Sequence, residues 1–241
     1  MLLNIMNVKD LSITTVLLAA LYFMAFSFYK GFSSFYGFPV SFISIGVGEI
    51  VKFSVIALGL LFTLVALLHI DTDEKSIPGW ASLFFFALAS LLSYGTLYFY
   101  GERTYLYEHA KGSVVPVAIL LGFSSTTAVR SVSVFIRNEY KIKNKAHGVM
   151  LLISIALLPS LLGWVWAYIS DEPLFYSKKY NAYVIESYNG KFVLGSCSKN
   201  IVEYLTVDRI EGKLTPLSAN ETQQLKICFL NAANSTRGRG G

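Results

Sequence analysis

Long apolar runs separated by short polar ones occupy most of the first 170 positions of this chain. Four runs, at 11–29, 50–70, 80–100 and 148–169, each hold about 20 mostly apolar residues, the length that carries a helix across the hydrocarbon of a bilayer. Trp80, Tyr98, Tyr100, Trp164, Trp166 and Tyr168 stand at or near their ends, where amphipathic rings favour the headgroup level. The pattern predicts a polytopic α-helical membrane protein of four transmembrane helices over residues 1–169. The first run has no small-x-small cleavage site after it and is longer than a signal-peptide core, so it reads as a retained anchor.

A fifth apolar stretch, 114–136, is long enough to cross but carries six hydroxyl residues and Arg130. It reads as a fifth span or as a re-entrant segment, with Arg130 about 9 Å of helix rise from the end of the stretch. The Lys/Arg distribution favours four spans, because that count gathers the basic residues on one side. The stretch 137–147 is the most basic of all, and Arg137, Lys141, Lys143 and Lys145 form a juxtamembrane patch. Such a patch suits anionic headgroups or a cytoplasmic protein partner. A cytoplasmic 137–147 followed by one crossing puts the C-terminus outside the cytoplasm, in a bacterial inner (plasma) membrane.

After residue 170 the period shortens. Residues 183–197 read as two strands joined at Asn189-Gly190, a dipeptide suited to a type I′ turn. The stretches 201–207 and 225–230 read as further strands. Residues 170–232 are therefore expected to form a small extracytoplasmic β-rich module, with 233–241 a disordered tail. Cys197 and Cys228 are the only cysteines of the chain. Both fall in or near expected strands of a module too small to be stable on its core alone, so a disulfide between them is expected, worth roughly 3–4 kcal/mol.

Composition agrees with the pattern: 54% hydrophobic and 15% charged residues, a mean hydropathy of +0.53 and a pI near 9.1. The net charge of +5 is interleaved with apolar runs and not gathered on one face, so direct nucleic-acid binding is not expected.

Motifs for familiar chemistry are absent. There is no GxSxG, HExxH, GxxxxGK[ST] or CxxC, and no GxGxxG after a strand. No catalytic, cofactor-binding or metal-binding residue is assigned, and His69, His109 and His147 read as headgroup-level or loop residues. The candidate functional residues are polar groups within apolar runs, namely Glu49, Lys52, Ser124, Thr127 and Arg130. Glu49 and Lys52 are three apart, on one helix face, and could pair or gate. Ser124, Thr127 and Arg130 could line a wet path or serve helix packing.

The function these features suggest is a homo-oligomeric, non-enzymatic sensor and relay, or a pore, in which the β module senses and the bundle transmits. Envelope stress or phage defence in bacteria would be a setting for it. The alternatives are a membrane-embedded enzyme acting on lipid or peptide, using Ser124 or Ser125 with His109 or His147, and an accessory subunit of a membrane complex.

Overall fold

The computed structural model describes residues 13–51, 53, 79–104, 106–137, 145–198 and 201–237. Four long helices come first: α1 (Ile13–Tyr36), α2 (Gly79–Thr104), α3 (Leu106–Arg137) and α4 (Lys145–Ile169). A 3-10 turn (Val40–Phe42) and a helical turn at 47–51 follow α1. Five strands come next: β1 (Phe175–Ser177), β2 (Ala182–Tyr188), β3 (Lys191–Ser198), β4 (Ile201–Val207) and β5 (Leu214–Pro216). A last helix, α5 (Ala219–Arg237), closes the described chain.

Among the described residues, no helix is long and apolar enough to cross a membrane. That finding overturns the four-transmembrane-helix bundle, the multi-pass inner-membrane location and the placement of the C-terminus outside the cytoplasm. The physical reason lies in where the aromatic side chains go. Phe28, Tyr29, Phe32, Phe35 and Tyr36 of α1 and Trp164 and Tyr168 of α4 are buried against one another, against the sheet and against α5, so two of the rings expected at a headgroup layer, Trp164 and Tyr168, serve as core. The run 50–70 lies outside the described residues except for 50, 51 and 53. The stretch 114–136 is neither a separate span nor a re-entrant segment, because it continues α3, a single helix of 32 residues.

Helix packing is closest where side chains are missing. A Cβ on Gly31 would stand 1.7 Å from the Ser160 carbonyl oxygen, and one on Gly163 would stand 1.8 Å from that of Phe28. The backbones of α1 and α4 therefore touch. Tyr168 joins α4 to α2 by donating its hydroxyl to the Leu97 carbonyl at 3.2 Å, and it stacks on Trp164 at 5.4 Å.

The sheet is fully antiparallel, in the order β4-β3-β2-β1-β5. Asn189 (φ 47°) and Gly190 (φ 80°) make the tight β2–β3 turn, the two positive φ angles a type I′ hairpin requires. One strand expectation fails: 225–230 is the middle of α5. The buried positions Thr222, Leu225, Lys226, Phe229, Leu230 and Ala233 recur at helical spacing, and Ser218 starts the helix with a capping box. The Ser218 amide donates to the Glu221 carboxylate at 2.9 Å, and the Glu221 amide donates back to the Ser218 hydroxyl at 3.3 Å. Phe229 then lies under β3, where a Cβ on Gly195 would approach its ring to 2.9 Å.

Candidate functional site

Glu49 sits in the helical turn at 47–51. It is only 7% exposed, yet its carboxylate is well supplied with donors. One oxygen accepts the Gly46 amide at 2.8 Å and the other accepts the Asn189 amide at 2.9 Å. The first bond is a local cap, three residues back. The second spans 140 residues of sequence and fastens the tip of the β2–β3 hairpin to the helical part. Gly46 is needed for the approach, since a Cβ there would lie 2.7 Å from the Asn189 side-chain oxygen.

Aromatic groups seal this junction. Tyr29 meets Tyr188 edge-on at 5.0 Å, Phe38 touches Tyr188 and Tyr204, and Phe53 packs on Phe28. The Tyr204 hydroxyl donates to the Tyr36 carbonyl at the end of α1. The Tyr188 hydroxyl is buried without a partner among the described residues. Burial first, then the charge of Glu186 and of Glu49, pushes the Tyr29 and Tyr188 phenols above the usual range. Both rings are neutral in any physiological solution.

A second junction ties α5 to α4. Lys226 is 2% exposed, and its ammonium donates to the carbonyls of Ala167, at 2.9 Å, and Ser170. These acceptors belong to the end of α4, where carbonyls lack helical partners and the helix dipole favours a cation. Burial still dominates and lowers the Lys226 pKa to about 8, opposed by the charges of Asp171 and Glu172. Beside it, Cys197 of β3 and Cys228 of α5 form a disulfide with Cα atoms 6.2 Å apart. Sequence reasoning missed Lys226, although a lone cation inside the apolar run LKICFL was a usable signal, because such a residue is rarely buried unless paired.

The other candidates disperse. Ser124 is buried and returns its hydroxyl to the Leu121 carbonyl at 3.2 Å, and Thr127 donates to Phe123 and Ser124 of its own helix. Both spend these bonds on α3. Arg130 lies on α3, Arg137 ends it and Lys145 begins α4, whereas Lys141 and Lys143 lie outside the described residues, as does Lys52. Lys145 is thus at the end of α4 opposite the sheet, roughly 36 Å of helix rise away at 1.5 Å per residue.

Between α1, α3 and α4 is a cavity of about 270 Å³, lined by Gly31, Ser34, Gly112, Ser113, Pro116, Val117, Ser160, Leu161 and Trp164. None of the sequence-derived candidates lines it. Among the described residues no group of His, Cys, Asp and Glu is arranged to hold a metal ion. Comparison with family models, curated proteins and solved structures finds no match to this chain.

Proposed function

We propose that this protein is a non-enzymatic sensor and relay that acts as a homo-oligomer, with the sheet as its receiving module and the helices as its transmitting one. The observation that carries the reading is the bond from the Asn189 amide to Glu49. Through it, a displacement of the β2–β3 hairpin acts directly on the turn that begins the chain segment after α1. Coupling between sites requires a physical connection with two arrangements, and the hydrogen bond from the Asn189 amide to the Glu49 carboxylate is a connection that can be made or broken.

The polar groups weigh against the enzyme alternative. Ser124 and His109 sit 15 residues apart on one helix, about 22 Å of rise, far beyond proton-transfer reach. The homo-oligomer rests on α2, where Phe84, Leu88 and Leu91 are exposed and follow one another at four and three residues, with Gly95 four further on. That is the spacing by which one helix seats against another.

Amide exchange at Ile50, whose N–H bonds Gly46, tests the relay. Val193→Ala loosens the sheet at a fully buried β3 position; the expected result is faster exchange at Ile50, abolished as a response when Glu49→Gln is present. Unchanged Ile50 exchange in Val193→Ala would overturn the relay. For the assembly, Leu91→Glu is expected to convert an oligomer to a monomer in sedimentation velocity; a monomeric wild type, or one that binds only lipid vesicles, would overturn it.

A further inference from the structure

From the cavity among α1, α3 and α4 we infer a binding site for a small neutral molecule that carries a hydrogen-bond donor on a flat apolar body. At about 270 Å³ it lies just under the roughly 300–1,000 Å³ of sites for drug-sized ligands, so the occupant is small. The polar lining is of one kind. Ser34, Ser113 and Ser160 are hydroxyl residues, and no charged side chain is among the lining residues. The lining therefore offers an ion no counter-charge.

The donor has a specific acceptor. Pro116 lies inside α3 and has no N–H, so the carbonyl four residues earlier, that of Gly112, loses its helical donor. Gly112 itself lines the cavity, so the residue whose carbonyl loses its helical bond borders the site. Trp164 also lines the cavity, and a planar apolar body gains from lying against an aromatic ring. Space has been kept open on this wall, since a Cβ on Gly112 would meet nothing within 4 Å. On a helix, glycine costs about 1 kcal/mol relative to alanine; here that cost leaves room beside the exposed carbonyl.

This site does not depend on the hairpin relay, and the two fail separately. The test is an NMR titration of the intact chain with phenol, toluene and benzoate, following the Gly112 amide and the Trp164 indole N–H. Phenol supplies the donor, toluene the same shape without it, and benzoate a charge. Phenol is expected to shift both signals, to show ring-to-Trp164 NOEs, and to bind about tenfold more tightly than toluene, the worth of one hydrogen bond. Benzoate is expected not to bind. Gly112→Phe should weaken phenol at least tenfold, and Glu49→Gln should leave it unchanged. Equal binding of phenol and toluene, tighter binding of benzoate, or full phenol binding by Gly112→Phe would overturn the site. The NOEs need no variant, so their absence in the wild type overturns it even if Gly112→Phe does not fold.

Discussion

The Lys226 ammonium donates to the carbonyl of Ala167 at 2.9 Å, so α5 caps the C-terminal end of α4. Burial also brings the Lys226 pKa down to about 8 from an ordinary 10.5. The unfolded chain keeps this proton up to pH 10.5, whereas the folded chain releases it near pH 8. Between those values the unfolded state binds more protons, so stability rises with pH. A gain of about 3 kcal/mol from pH 7.5 to 10 is expected. Urea unfolding across that range checks it, and Lys226→Met should flatten the slope. Above pH 10 the direction reverses. Burial raises the phenol pKa values of Tyr29, Tyr36, Tyr168, Tyr188 and Tyr204, so the unfolded state ionises first and stability is lost.

The Cys197–Cys228 bridge closes a loop over a separation of 31 residues and pins α5 to β3. Cys197→Ser with Cys228→Ser is expected to lower stability by roughly 3 kcal/mol. A reducing agent should reproduce the loss in the wild type and have no effect on the double variant, measured by thermal unfolding.

Gly163→Ala would put a methyl carbon 1.8 Å from the Phe28 carbonyl oxygen, which forces α1 and α4 apart. A loss of about 2–3 kcal/mol, as for other overpacked sites, is expected in denaturant melts. Gly112→Ala has open space and should instead raise stability by about 0.5–1 kcal/mol. The opposite signs separate packing from helix propensity.

Glu49→Gln offers one acceptor oxygen to two amide donors and turns an N–H₂ toward the other. A cost of about 1.5–3 kcal/mol follows from losing a charge-assisted bond and orphaning a buried donor. The Asn189 amide should lose exchange protection more than any other amide of the β2–β3 hairpin; uniform loss across the sheet would point to general destabilisation instead.

Much of the architecture was legible along the chain. The apolar runs 11–29, 80–100, 114–136 and 148–169 fall in helices at 13–36, 79–104, 106–137 and 145–169, whereas 50–70 lies outside the described residues except for 50, 51 and 53; Asn189-Gly190 marks its hairpin because few other dipeptides tolerate two positive φ angles. The stretch 225–230 is ambiguous by its period, since six residues are too few to tell a strand from a helix, and it is the capping box at Ser218 that marks it as part of α5. Glu49 stood out as a carboxylate in an apolar run, but its acceptor role toward Asn189 could not be read.

Local period, turn chemistry and the presence of an out-of-place charge were set by the sequence alone, since each depends on residues within a few positions. Which surface the apolar runs cover was decided by the tertiary structure. Gly31 and Gly163 let two backbones touch, and the rings of Phe35, Trp164 and Tyr168 met one another and not lipid. The same holds for Glu49 with Asn189 and Lys226 with Ala167, pairs joined across 140 and 59 residues. Hydrophobicity is non-directional and states only that a surface must be covered; what covers it depends on shapes that exist only once the chain has folded.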